Sequence, residues 1–427
     1  MSAVHPFSFL SEDELADFSV DFGKSGFEDA LKDICARHGF VVINNVLSSH
    51  EIHQLSEAMG RDLIDICDAD ACTTHEDASV KDAFLRLSEL AKRGEFDSIP
   101  SLWPGVNFQA NYHGLPQGRF CWGVRQSPRV KAVYEILHDE TDLVVGMDQP
   151  FFSPVATNDE SMLLKFAGHS DHNIHDRFYG DTSGWEVFQS IVNIWPCVTA
   201  GGQTDTSPDS PERKKPDDWS TVIWPGSHMD AFHEIMADEG IRQKRGHYVP
   251  MKNMADKEKY EELQERYLLA ARRVPLQAGS MLVWNSRTVH HGCRTGKRFA
   301  MPVCWEPRSR RSQQAFYRKV LMAASGFAST HWASLGRKHR QQMFNKTHCR
   351  RDSIPHVDPA MVELGLVGGV RPVALKEGVD EGELQALCAS FVKRLDKEFA
   401  GNSPPRFTPE ELTQIIAMLR EDILFVL

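Results

Sequence analysis

The sequence predicts a mainly β chain with flanking helices. Short apolar runs rich in β-branched and aromatic residues recur through its middle, at 40–43, 187–195, 221–224, 281–284 and 299–305. Turn residues bound them, and each is too short for an ordinary buried helix. Toward both ends, apolar residues instead recur at three- and four-residue spacing, the period of an amphipathic helix.

Taken in order, residues 1–26 are polar and carry no clear period. Phe27, Leu31, Ile34 and Cys35 mark a helix that Gly39 stops, and a buried strand follows at 40–43. Ser48 and Glu51 form a candidate capping box for a helix burying Ile52, Leu55, Met59, Leu63 and Ile66. Residues 70–135 are mostly polar, and 151–160 is a loop. The run 187–195 is a buried strand, 205–219 an exposed polar insertion, and 221–224 a short strand ending in Pro225-Gly226-Ser227-His228. A helix is expected at 256–273, from Tyr260, Leu263, Tyr267 and Ala271. Gly279-Ser280 then turns the chain into the strand at 281–284. Residues 308–351 are locally basic, most simply a solvated face and otherwise a patch that attracts an anionic substrate such as a phosphate or CoA ester. Two amphipathic helices close the chain, one through Leu384, Leu387, Cys388, Phe391, Leu395 and Phe399. The other opens at Thr408-Pro409 and runs through Leu412, Ile415, Leu419 and Ile423.

The net charge of −11 over 427 residues speaks against nucleic acid as a partner. No apolar run reaches the roughly 20 residues that span a membrane. The nine cysteines are odd in number, with no Cys-x-x-Cys pair, which argues against a disulfide scaffold or structural zinc. The first ten residues lack the basic-then-apolar pattern of a secretory signal. A cytoplasmic, reducing compartment is expected.

The chemistry centres on Gly168-His169-Ser170-Asp171. On an extended chain residues 169 and 171 point the same way, and an imidazole beside a carboxylate is two thirds of a facial triad for iron(II). The missing histidine must come from a distant stretch. Trp284-Asn285-Ser286-Arg287-Thr288-Val289-His290-His291 offers two.

Together these motifs resemble the phytanoyl-CoA dioxygenase-like branch of the Fe(II)/2-oxoglutarate-dependent oxygenases. The resemblance rests on His169-x-Asp171, the 187–195 strand, Gly201-Gly202 leading to Pro225-Gly226-Ser227-His228, and Gly279-Ser280-x-Leu282-x-Trp284-Asn285-Ser286-Arg287-Thr288-x-His290. The opening His38-Gly39-Phe40-Val41-Val42-Ile43-Asn44-Asn45-Val46-Leu47 before a helix is also similar. The likeness covers roughly residues 25–345. It implies a double-stranded β-helix, a cupin-like jelly roll, with an oxygenase domain over 1–350 and a helical C-terminal extension over 351–427. It implies His169, Asp171 and His290 as metal ligands, His290 being preferred over His291 because the family's ligand falls six residues after the tryptophan. It implies Arg298, whose planar fork suits a carboxylate, and Thr221 as cosubstrate contacts, with Thr204 a rival to Thr221.

The activity so implied is hydroxylation of a small molecule, with iron(II), 2-oxoglutarate and O2, releasing succinate and CO2. Iron halogenases of this superfamily lack the carboxylate ligand, and Asp171 is present. Two alternatives keep the fold: a jelly-roll binding protein with a degenerate site, and a cupin-like metalloenzyme that does not use 2-oxoglutarate. His172, His175 and Asp176 read as loop residues and His228 as a turn-shaper. Gln189 and Asn193 share one face of a strand, either contacting cosubstrate or substrate or forming a buried polar pair. The C-terminal helices are packing elements or a homodimer contact.

Overall fold

The computed structural model describes residues 7–71, 115–153, 168–177, 180–197, 220–293, 297–324 and 326–337, with isolated positions elsewhere. The insertion at 205–219, Thr204 and most of the two C-terminal helices lie outside the described residues. The strands are β1 (Ser19–Asp21), β2 (Phe40–Asn44), β3 (Leu143–Val145), β4 (Phe151–Ser153), β5 (His169–Ser170), β6 (Phe188–Asn193) and β7 (Ser220–Ile223). They continue as β8 (Val249–Pro250), β9 (Arg272–Val274), β10 (Met281–Asn285), β11 (His290–Cys293), β12 (Arg298–Val303) and β13 (Trp305–Pro307). Helices make up 44% of the residues described, so the described part is more helical than a mainly β reading anticipates. Among the described residues no helix is long and apolar enough to cross a membrane.

The chain divides into two compact units. One comprises residues 1–48 and 155–300, the other 49–154 and 301–427. The first holds two sheets. Its larger sheet runs β1-β2-β10-β6 and on into β12. β10 lies antiparallel to both β2 and β6, and every residue of β6 and β10 is buried. That explains why β10 reads as a continuous apolar run rather than an alternation: a strand covered on both faces needs apolar residues at every position. The second sheet runs β8-β5-β11-β7-β9. Helices Asp230–Ala237 and Lys257–Ala270 help to cover its outer face, where Phe232, Ile235, Leu263 and Tyr267 pack with Val222 of β7 and Val289.

Helix Phe27–His38 ends at Gly39, whose φ of 76° puts it in the left-handed region. A Cβ at this position would also come within 2.4 Å of His228 Nδ1 and 2.7 Å of Thr288 Oγ1. Glycine is therefore required twice over, by conformation and by space. Residues 7–26 prove less featureless than their composition suggests. Helix Glu12–Asp17 opens with a complete capping box between Ser11 and Glu14, and Phe7 is buried against Tyr267.

In the second unit, helix Arg119–Arg125 lies in a stretch that reads as mostly polar and shows no amphipathic period, while the next helix, Pro128–His138, buries Val130, Val133 and Tyr134 at helical spacing. The reason is burial on all sides: all seven residues of Arg119–Arg125 are buried, so no polar face alternates with an apolar one. The buried Asp62 carboxylate takes the place of a local cap, accepting from the backbone N–H of Arg119 and of Phe120. The basic stretch after 308 is not simply a solvated face either. It contains helix Gln313–Ala324, whose Lys319 is fully buried and donates to Val145 O at 2.7 Å.

Candidate metal centre

β5 and β11 are adjacent and antiparallel, with His169 directly opposite His290. Two residues beyond His169, Asp171 completes a group whose three ligand atoms lie within 4.8 Å of one another. Asp171 Oδ2 is 3.3 Å from His290 Nε2 and 3.8 Å from His169 Nε2. The same carboxylate oxygen thus faces both imidazoles. His169 is partly buried, with its ring centroid 4.7 Å from that of the half-exposed Tyr248, while Asp171 and His290 are buried.

Strand alternation sends the two adjacent histidines to opposite faces. On β7, Ile223 pairs with His290 and Val222 with His291. Val222 belongs to the core under the helices, and His291 follows it, meeting the Tyr267 hydroxyl through Nδ1 and packing on Phe7. His290 faces the opposite way. Its Nδ1–H donates to Thr288 O at 3.0 Å, which fixes the tautomer and leaves the Nε2 lone pair for a metal.

The turn between β10 and β11 organises the centre. Ser286 O accepts from Asp171 N at 3.0 Å and from Ser170 Oγ at 3.1 Å. Asn285 N and Thr288 Oγ1 both donate to Gly39 O. Arg287 Nη2 donates to Ser183 O at 3.1 Å. The Pro225-Gly226-Ser227-His228 motif belongs to the same scaffold. Ser227 Oγ accepts from Val289 N at 2.8 Å, Gly226 N donates to His38 O, and His228 Nε2 bonds Ala36 O. His228 shapes a turn, and burial pushes its pKa down. Gly168 is needed for close approach, since a Cβ there would lie 2.8 Å from Tyr267 Cζ and 2.9 Å from Val289 Cγ1. His172, His175 and Asp176 are committed elsewhere, to Ser286 Oγ and Thr182 O, to Met236 O, and to Gly246 N respectively.

Arg298 opens β12 in the larger sheet and donates from Nη2 to Thr221 Oγ1 of β7 in the other, at 3.1 Å. Gln189 of β6 donates from Nε2 to Asp171 Oδ2 at 3.2 Å. Trp284 of β10 stands with its ring 5.0 Å from that of His290. The two sheets of this unit therefore face each other with these side chains between them. Arg298 and Thr221 are both buried.

The donor set fits a divalent iron. Two imidazole nitrogens and one carboxylate oxygen on one side of a point are the facial arrangement of non-haem iron(II) sites, and they leave the opposite side for other ligands. The set lacks the thiolates typical of structural zinc.

No protein-family profile matches this chain, and no curated protein does. Solved structures do show likeness. The epimerase SnoN in complex with Fe3+, alpha ketoglutarate and nogalamycin RO is 14% identical, with a TM-score of 0.34 over 67% of this chain and 85% of that one. EctD from S. alaskensis with 2-oxoglutarate and 5-hydroxyectoine is 13% identical, with a TM-score of 0.35 over 73% of this chain and 80% of that one. GIG2 (DUF1479) from Candida albicans is 10% identical, with a TM-score of 0.42 over 93% of this chain and 88% of that one. Likeness at this level leaves the chemistry to be decided by the centre's own geometry.

Proposed function

We propose that this chain is a non-haem Fe(II)/2-oxoglutarate-dependent dioxygenase that hydroxylates a small molecule, built on a double-stranded β-helix of the phytanoyl-CoA dioxygenase-like kind. The observation that carries this reading is the convergence of His169, Asp171 and His290, with the second nitrogen of His290 already committed to Thr288 O.

His169, Asp171 and His290 would hold the iron. Arg298 and Thr221 would hold the far carboxylate of 2-oxoglutarate, the guanidinium fork supplying paired donors and the hydroxyl a third. Thr221 lies two residues along β7 from Ile223, the residue opposite His290, a separation of about 7 Å on the same strand face. That offset lets one end of a dicarboxylate sit at the fork while the other reaches the metal side. Iron with 2-oxoglutarate and O2 supplies oxidative decarboxylation to succinate and CO2 coupled to oxidation of a C–H bond. The protein's own part is to orient the ligands and limit water at buried residues. Tyr248, half-exposed beside His169, would mark the side from which a substrate approaches.

Anaerobic titration with Fe(II), with and without 2-oxoglutarate, tests this. A weak visible charge-transfer band should appear only with both and vanish in His169→Ala and Asp171→Ala. Iron binding without the band would favour a metalloenzyme that does not use 2-oxoglutarate, and no metal binding would favour a binding protein.

A further inference from the structure

We infer that Gln189 is a positioning residue of the metal centre, holding the Asp171 carboxylate with Oδ2 turned toward the two histidines. The inference rests on the proposed function only in requiring a metal at His169, Asp171 and His290.

The need for such a residue follows from the carboxylate itself. Rotation about the Cβ–Cγ bond of an aspartate is broad and roughly two-fold, so its backbone position does not fix which oxygen meets a metal. Here the backbone of Asp171 is held by Ser286 O. On the side chain, Oδ2 faces both His290 Nε2 and His169 Nε2, and Gln189 Nε2 donates to that same oxygen. The hydrogen bond opposes rotation of Oδ2 out of the centre.

The orientation of the Gln189 amide is chemically determined. An ionised carboxylate only accepts, so the NH2 end must face Asp171 and the carbonyl must face away. That carbonyl, Oε1, is buried and has no partner among the described residues. A glutamine present only to fill the core would gain by satisfying both ends, and an unsatisfied buried acceptor costs stability. Gln189 accepts that cost while keeping its donor on Asp171. Its cross-strand neighbour on β10 is Trp284, whose ring lies 5.0 Å from that of His290, so two paired positions of the larger sheet each stand against one member of the His-Asp-His group.

The test is anaerobic titration of the full-length apoprotein with Co(II), whose visible bands report coordination geometry without turnover. Gln189→Met keeps the length of the side chain and removes the amide. Gln189→Glu keeps its shape and replaces the donor with an acceptor. Both should bind Co(II) about 10- to 100-fold more weakly than wild type, with displaced bands, while their circular dichroism and unfolding midpoints show a folded chain. If both variants reproduce the wild-type affinity and bands, Gln189 is a core residue and the inference fails. If wild type itself binds no Co(II) or Fe(II), the proposed function fails instead.

Discussion

Arg298 and Thr221 lie 77 positions apart and in different sheets of one unit, yet Arg298 Nη2 donates to Thr221 Oγ1 at 3.1 Å. On the proposed function, this pair should govern 2-oxoglutarate and not iron. Charge-assisted hydrogen bonds contribute about 1.5–3 kcal/mol each, so Arg298→Ala should weaken 2-oxoglutarate binding by about 100-fold or more. Arg298→Lys keeps the charge and loses the fork, and should fall between. Thr221→Val removes one neutral bond of roughly 1 kcal/mol and should cost about fivefold. Calorimetry of 2-oxoglutarate binding to the metal-loaded variants, beside metal titrations of the apoproteins, separates the two effects. Equal loss of both affinities in Arg298→Ala would remove Arg298 from the cosubstrate site.

His290 and His291 should behave oppositely despite being neighbours. His290→Ala removes a ligand donor and should abolish metal binding while leaving the unfolding midpoint of the apoprotein little changed. His291→Ala should retain metal and lose stability, because it strands the Tyr267 hydroxyl in a packed core. Leaving a buried polar group unsatisfied costs about 1–3 kcal/mol. Paired metal titration and chemical unfolding of the two variants checks this.

Much of the centre was legible in the sequence because strand periodicity carries it. His169-x-Asp171 needs only the two-residue repeat to bring both side chains to one face, and the run at 281–284 announces a strand leading to His290. The family spacing points to His290, and alternation against Ile223 and Val222 turns His291 to the other face. Three things were not legible. The pairing of Gln189 with Asp171 depends on which strands face each other, which no local pattern encodes. The role of Gly39 as the floor for Thr288 joins residues about 250 positions apart. Helix Arg119–Arg125 is buried all round and so has no amphipathic signature, and its cap, Asp62, is more than fifty residues away in the chain.

Gly39 offers a test of the scaffold. Gly39→Ala must hold an L side chain at a φ of 76° and displace His228 and Thr288. The left-handed conformation costs about 1–2 kcal/mol and overpacking about 1–3 more, so a loss near 3 kcal/mol is expected. Because Thr288 also carries the carbonyl that fixes His290, metal affinity should fall together with stability. Denaturant unfolding and Co(II) titration of the same preparation show whether the two losses travel together.

His138 should make stability depend on pH in the second unit. Burial, with a smaller contribution from the nearby Arg310 charge, pushes its pKa down from 6.5 to about 4. Its Nε2–H donates to Trp305 O at 3.1 Å, a bond the neutral ring already makes, so protonation gains no new partner there. A histidine whose folded pKa lies below its unfolded value binds its proton more readily when the chain is unfolded. Its contribution is therefore complete above pH 6.5, declines as the pH falls from 6.5 toward 4, and is gone below about 4. A shift of this size corresponds to roughly 3 kcal/mol across that window. His138→Gln keeps a donor for Trp305 O and removes the titration. Unfolding free energies of wild type and variant, measured from pH 7.5 to 4, should diverge in slope, the wild type losing stability more steeply as the solution is acidified. Parallel curves would mean that His138 is not buried as a neutral imidazole.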